Sequence, residues 1–88
     1  KTFEVRRTGQ DISLTSREYR LLEYLARNQN QILTKEQIIS YVWEYDSEVL
    51  PNIVEVYVKK LRNKIDLPFS TQSPLLQTVR GFGYKLGK

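Results

Sequence analysis

Polar and cationic side chains are concentrated on one face of residues 52–65 when that segment is read with the period of an α-helix. The face consists of Asn52, Val56, Lys59 and Asn63, with Lys60 on one flank and Glu55 and Arg62 on the other. Such side chains bind phosphates and base edges, and the major groove of duplex DNA, about 12 Å wide, admits a helix. A solvated amphipathic helix shows the same pattern, so this face alone leaves both interpretations open.

Individual side chains of this face are suited to different contacts. Lys59 and Arg62 are expected to anchor to phosphates, whereas Lys60 or Asn63 is expected to reach base edges. Because lysine is a flexible point charge, the paired lysines favour positioning over bidentate reading of guanine. Val56 is of the right type to touch a thymine methyl group, although an exposed valine needs no special explanation.

The opposite face of the same segment must be buried if these side chains are to be held in place. Apolar residues recur there at spacings of three and four, namely Val54, Tyr57, Val58, Leu61 and Ile65. Asn52 is predicted to cap the start of this helix with its side chain.

Two further helices are predicted upstream, and each opens with a capping box. Thr15 and Glu18 form the first box, and Thr34 and Gln37 form the second. The first helix runs to about residue 27, with an apolar face of Tyr19, Leu22, Leu25 and Ala26 and with Leu21 beside them. The second runs to about Trp43, itself expected in the core, and buries Ile38, Ile39 and Val42.

Alternating residues predict a β-hairpin at each end of the chain. Residues 3–7 and 12–14 alternate around a turn at 8–11, and residues 76–80 and 84–86 alternate around a turn at 81–83. Arg80, beside the second bend, suits a narrow A·T-rich minor groove, or is simply an exposed hairpin charge. Tyr84 is expected to pack part of its ring on the helix at 52–65.

Composition argues against several kinds of site. The 88 residues include neither Cys nor His, so thiolate and imidazole metal sites are excluded and the commonest general base is missing. Neither an enzyme nor a bound cofactor is therefore expected. No apolar run approaches the roughly 20 residues that span a bilayer, and no secretory signal is evident.

The net charge of +4 is unevenly distributed along the chain. Residues 52–88 carry seven Lys and Arg against two Asp and Glu, as expected for a surface that binds a polyanion. Residues 34–51 carry one against four, and three of these acids lie in the predicted loop 44–51: Glu44, Asp46 and Glu48. Phosphate repels this loop, so we expect it to face away from the basic surface.

The order of elements predicts a single α+β domain of the winged helix-turn-helix class. An N-terminal hairpin at 1–14, the remnant of an antiparallel sheet, is followed by a three-helix core at 15–65 and by a wing at 75–86.

Three segments resemble the effector domain of OmpR/PhoB-type bacterial response regulators: SREYRLLEYLARNQNQILTKEQI, VEVYVKKLRNKI and QTVRGFGYKL. The family's T-x-R-G-x-G-Y wing is matched by residues 78–84, and residues 61–65 are close to its LRxKL helix end. The resemblance covers almost the whole chain and implies a transcription factor.

The resemblance assigns roles residue by residue. It aligns Lys59, Lys60 and Arg62 with cationic positions of the recognition helix, and Arg80 with a wing arginine that enters the minor groove. Asn52, Ile53 and Glu55 align with positions near the helix N-terminus that approach bases or phosphate, and Thr78 and Tyr84 align with wing positions that contact the DNA backbone.

The resemblance also implies partners. Tandem effector domains of the family bind direct-repeat DNA sites, and loop 44–51 aligns with a segment implicated in contact with RNA polymerase. The family's phosphorylated receiver domain is absent from this chain, which also begins partway through the usual N-terminal sheet. Cytoplasmic location is expected.

Two other classes of binding remain to be compared with DNA binding. The basic helix could instead dock an acidic protein, in which case the chain would not bind random duplex DNA at about 50 mM salt. RNA binding is disfavoured because the deep, narrow A-form major groove excludes a helix and no aromatic stacking platform is evident.

Overall fold

Three α-helices lie between two β-hairpins in the computed structural model, which describes residues 2–44, 49–69 and 71–87. In chain order the elements are β1 (Thr2–Arg7), β2 (Gln10–Thr15), α1 (Ser16–Arg27), α2 (Lys35–Val42), α3 (Ile53–Ile65), a 3-10 turn (Leu67–Phe69), β3 (Leu76–Val79) and β4 (Gly83–Leu86). No helix within these described ranges has both the length and the apolar character needed to cross a membrane.

The predicted N-terminal hairpin is confirmed. Strands β1 and β2 are antiparallel, in a register that pairs Thr2 with Thr15 and Arg7 with Gln10. Thr8 and Gly9 form the connection with φ angles of 52° and 79°, the positive values that a two-residue hairpin turn of type I′ requires. Alternation along β2 places Ile12 and Leu14 in the core.

Helix α1 begins as predicted, and its buried face differs from the predicted one at Ala26. The Glu18 backbone N–H donates to Thr15 Oγ1, and the Thr15 N–H donates to Glu18 Oε1, which confirms the capping box. The buried residues are Glu18, Leu21 and Leu25, whereas Ala26 is exposed, so the predicted apolar face was wrong for Ala26. Strand β2 continues directly into α1 through the cap, and this fixes the rotation of the helix so that Leu21 faces the core.

Helix α2 also has its predicted capping box, formed by Thr34 and Gln37. Ile38, Val42 and Trp43 are buried, and Ile39 is only partly covered. Trp43 therefore belongs to the core, as predicted.

Helix α3 buries the predicted stripe but is not capped by Asn52. Val54, Val58, Leu61 and Ile65 are buried, and Tyr57 is half-buried. Asn52 has helical dihedral angles of −71° and −7°, and its side chain makes no capping hydrogen bond. The capping prediction was wrong because the chain already turns helically before Asn52, so that the Ile53 N–H donates to the Leu50 carbonyl (3.0 Å).

The C-terminal hairpin of β3 and β4, called the wing below, is joined by backbone to the segment before α2. The Tyr84 N–H donates to the Leu33 carbonyl (2.9 Å), and the Leu33 N–H donates to the Tyr84 carbonyl (2.8 Å). Gly83 makes this approach possible, because a Cβ atom there would lie 2.0 Å from the Leu33 oxygen. The wing is thereby attached to the helical core along β4.

Candidate nucleic-acid interface

The predicted polar face of α3 is exposed. Val56 is 42% exposed, and Lys59, Lys60 and Asn63 are also exposed, on the side of the helix opposite the buried stripe. Lys60 lies over the Tyr57 ring, with Nζ 4.9 Å from the ring centroid. This cation–π contact orients the Lys60 side chain along α3, while the residue stays exposed to solvent.

The wing lies beside this face. Glu55, Lys59 and Arg62 are spaced by four and three residues, so they form one line along α3. Glu55 lines the same cleft as Arg80, and Arg62 donates to Thr78 Oγ1 (2.9 Å) on β3. This line therefore runs along the side of α3 that faces the wing, and Lys59, which lies between its ends, is exposed.

Arg62 is committed to contacts within the protein. It is half-buried, its Nε donates to the Leu76 carbonyl (3.2 Å), and its Nη2 donates to that carbonyl (3.1 Å) and to Thr78 Oγ1. From the sequence we expected Arg62 to bind phosphate, and these hydrogen bonds within the protein were not predicted. They tie α3 to β3.

The tip of the wing is a tight turn that presents Arg80. The Phe82 N–H donates to the Val79 carbonyl (3.0 Å), and Gly81 has a φ of +80°, the positive value that glycine tolerates without strain. Arg80, Gly81 and Phe82 are all exposed, and the Phe82 side chain is 69% exposed. Sequence reasoning had placed the bend correctly but had not singled out Phe82.

A cleft of about 430 Å³ separates the wing from the first turns of α2 and α3. On its helical side, Lys35 Nζ forms an ion pair with Glu55 Oε2 at 3.0 Å. The hydrogen bond that Lys35 donates to Glu55, followed by the charge of Glu55, raises the pKa of Lys35 above the ordinary value. Glu55, which the resemblance placed near bases or phosphate, is thus paired with a lysine in the first turn of α2.

Tyr84 is buried in the core. Its side chain is 8% exposed and lines the floor of the same cleft. Burial, with a further contribution from the charge of Glu55, raises the pKa of the Tyr84 hydroxyl above its ordinary value. The phenol therefore stays neutral at physiological pH.

The acidic loop is only partly described. Glu44 is exposed, and its Oε1 accepts a hydrogen bond from Arg20 Nη2 at 2.6 Å. Asp46 and Glu48 lie outside the described residues. Leu50, which follows them, is 71% exposed.

Sequence reasoning missed several ion pairs that connect distant parts of the chain, and two of them involve the end of α3. Arg7 Nη1 pairs with Asp66 Oδ1 at 2.7 Å, and Lys64 Nζ pairs with Glu18 Oε1 at 2.7 Å. A signal for the first was present, because Arg7 alternates in phase with Phe3 and Val5 on the inward face of β1. An inward-facing arginine requires a buried acceptor.

Three helices, with the third helix and a C-terminal wing sharing one exposed cationic side, define a winged helix-turn-helix domain. Residues 9–86 match the family model described as "Transcriptional regulatory protein, C terminal". The chain belongs to this family, the C-terminal DNA-binding domains of OmpR/PhoB-type response regulators, which regulate transcription in bacterial two-component systems.

Individual relatives agree with this assignment. The chain is 46% identical over 82 residues to the response regulator ArlR of Staphylococcus aureus, covering 93% of this chain and 36% of ArlR. It is 44% identical over 86 residues to an uncharacterized transcriptional regulatory protein, YkoG, of Bacillus subtilis, covering 98% of this chain and 37% of that protein. The chain thus spans little more than a third of the length of these relatives.

A solved structure with the same fold contains DNA. The DNA-binding domain of the response regulator AdeR, in complex with an intercistronic region, is 26% identical with a TM-score of 0.80, over 97% of this chain and 85% of that chain. DrrB of Thermotoga maritima, an OmpR/PhoB homologue, is 27% identical with a TM-score of 0.83, over 98% of this chain and 38% of that chain.

Proposed function

We propose that this chain is the output domain of a two-component response regulator, binding specific duplex DNA with α3 in the major groove and Arg80 in an adjacent minor groove. The observation that carries the proposal is the exposure of Lys59 and Lys60 on the polar face of α3 and of Arg80 on the wing, which lies along the Glu55–Arg62 flank of that face. The AdeR domain, which has the same fold, is found with DNA and supports it.

Major-groove binding by α3 is supported by the residues that its exposed face offers. Lys59 is free of the apolar stripe and is suited to phosphate, whereas Lys60 and Asn63 are suited to base edges. Val56 adds an apolar contact that a thymine methyl group would satisfy. Asn52 and Ile53, at the start of the helix, are proposed to approach the phosphate backbone, where the helix N-terminus favours anions.

Minor-groove binding by the wing is supported by its shape. The turn that carries Arg80 is narrow, and Gly81 adds no side chain beside the arginine. Narrow A·T-rich minor grooves have an enhanced negative potential that attracts an inserted arginine. Thr78 keeps an exposed position on β3 and is proposed to contact the DNA backbone, whereas Tyr84 serves mainly as the packed base of the wing.

The test is a salt titration of binding to random duplex DNA, followed by selection of bound sites from a random duplex pool. Log affinity is expected to fall linearly against log salt, with a slope of about −0.9 for each phosphate that a cation neutralises. The selected sites are expected to share a half-site and a repeat orientation. Failure to bind random duplex at about 50 mM salt would instead favour docking on an acidic protein.

We also propose two protein partners that follow from membership of the family. Loop 44–51 is proposed to contact RNA polymerase, and the exposed Leu50 and Glu44 support a protein-binding role for that surface. Tandem copies of this chain are proposed to occupy direct-repeat half-sites in the cytoplasm. Titration of one-half-site and two-half-site duplexes, spaced as the selection indicates, tests this through tighter binding to the second.

A further inference from the structure

A buried carboxylate joins the end of α3 to the beginning of the wing. Asp66 directly follows α3 and is 8% exposed. Its Oδ1 accepts a hydrogen bond from the Leu75 N–H (2.9 Å), and its Oδ2 accepts one from the Leu76 N–H (3.0 Å). The first residues of the wing are therefore held by a side chain of the helix terminus as well as by the connecting backbone.

Arg62 holds the same strand from one turn earlier in α3. Its guanidinium donates to the Leu76 carbonyl and to Thr78 Oγ1, so Leu76 is bonded through its N–H by Asp66 and through its carbonyl by Arg62. These contacts fix the position of β3 along the axis of α3 and its rotation about that axis. A two-stranded hairpin is marginal alone in water, so its orientation depends on such contacts.

Arg7 completes the arrangement from the N-terminal hairpin. Its side chain is 12% exposed, its Nη1 donates to Asp66 Oδ1 (2.7 Å) and to the Ile65 carbonyl, and its Nη2 donates to the Ser73 carbonyl (3.0 Å). The guanidinium also stacks over the Phe69 ring, with Cζ 4.9 Å from the centroid. Arg7 thus neutralises Asp66 and binds both ends of the segment between α3 and β3.

We propose that Arg7, Asp66 and Arg62 are positioning residues that set the distance and angle between α3 and the wing, and hence the fit of Arg80 to a minor groove beside the α3 site. The inference rests on the groove assignments proposed above. Arg7 and Asp66 are too buried to touch DNA, so their effect on binding must pass through the wing.

The test compares two arginines that are adjacent in β1. Arg6 is 69% exposed and pairs with Asp11 at the surface, so Arg6→Met and Arg7→Met remove the same charge, but only Arg7→Met removes the contacts to Asp66 and Ser73 that help to position the wing. Affinity is measured for two duplexes that share a selected half-site and differ in an A·T-rich or a G·C-rich flank. The ratio of the two affinities is insensitive to a change in the folded fraction, because that fraction cancels.

We expect Arg7→Met to reduce the preference for the A·T-rich flank by about threefold or more, and Arg6→Met to leave it unchanged. In an Arg80→Ala background, Arg7→Met should reduce the preference no further, because the two residues act through one contact. If Arg7→Met keeps the unmodified preference while Arg80→Ala loses it, the inference alone is overturned. If the unmodified chain binds the A·T-rich and G·C-rich flanks equally well, both the minor-groove assignment and this inference are wrong.

A second pair of variants covers the case in which Arg7→Met does not fold. Asp66→Asn removes one acceptor of the two backbone N–H groups, and Asp11→Asn removes the same charge at the surface. Asp66→Asn is expected to lower the flank preference and to speed amide hydrogen exchange at Leu75 or Leu76. Unchanged exchange together with an unchanged preference would overturn the proposal.

Discussion

Lys64, in the last turn of α3, donates a 2.7 Å hydrogen bond to Glu18, in the first turn of α1. The same ammonium group donates to the Ser13 carbonyl (3.1 Å), and the Glu18 carboxylate is 5% exposed. Lys64 therefore counts toward the basic composition of residues 52–88 but not toward the cationic face. The pair instead joins α1, α3 and the end of β2.

The Glu18–Lys64 pair predicts a pH dependence of stability. Burial alone would raise the pKa of Glu18, but the hydrogen bonds from Lys64 and from the Thr15 N–H, with the charge of Lys64, lower it below the ordinary 4.5. Because the folded state favours the ionised form, this stabilisation is complete above about pH 4.5 and is lost as the pH falls through the lower folded value. Glu18→Gln should reduce the free energy of unfolding by about 1–3 kcal/mol at pH 7, and by less at about pH 3.

Urea unfolding at the two pH values measures this difference. Glu23→Gln, in the same helix, is the matched control, because Glu23 pairs with Arg27 at the surface and should change stability by about 0.5 kcal/mol or less. A loss for Glu18→Gln that is as large at pH 3 as at pH 7 would contradict the ionic origin.

Lys59→Ala should weaken binding to all duplex sequences by a similar factor, because a phosphate contact carries no base information. The slope of log affinity against log salt should become shallower by about 1. Arg27→Ala removes one charge from α1 and serves as the control, with little change expected in either quantity. A sequence-dependent loss for Lys59→Ala would assign this lysine to bases instead.

Arg80→Ala should lower affinity by about fivefold or more on A·T-rich flanks and much less on G·C-rich flanks. Lys85→Ala, on β4 of the same wing, removes the same charge away from the turn and controls for general electrostatics. Fluorescence anisotropy with the two flanking sequences measures both variants. Equal losses for Arg80→Ala on the two flanks would refute the minor-groove assignment.

Two glycines of the wing should differ in how they tolerate alanine. At Gly83 a Cβ atom would lie 2.0 Å from the Leu33 oxygen, so Gly83→Ala combines backbone strain with a clash and should destabilise the domain by about 3 kcal/mol or more. At Gly81 an added Cβ atom would have no described atom beyond the adjoining residues within 4 Å, so the φ of +80° is what opposes a side chain, at about 1–2 kcal/mol. Thermal or urea unfolding distinguishes them, and similar losses would show that the close approach to Leu33 is unimportant.

Local patterns in the sequence predicted most of the helices and turns because the groups that define them are close in the chain. The capping boxes at Thr15 and Thr34 each use a partner three residues away, and the buried stripe of α3 follows the period of the helix itself. The exposure of Lys59 and Lys60 follows from the same period. Ala26 was misplaced because small residues at the edge of a stripe do not fix the rotation of a helix.

The sequence by itself therefore determined the order of the elements, the cationic face of α3 and the turn that carries Arg80. Only the tertiary structure decided which cations stay available and how the wing is held. Arg7 and Asp66 are 59 residues apart and Glu18 and Lys64 are 46 apart, so no local period relates them. A buried polar group requires a partner, and the partners are groups that folding brings together: Lys64 pairs with the buried Glu18, and Arg62 donates to the carbonyl of the buried Leu76, whereas Lys59, Lys60 and Arg80 are exposed.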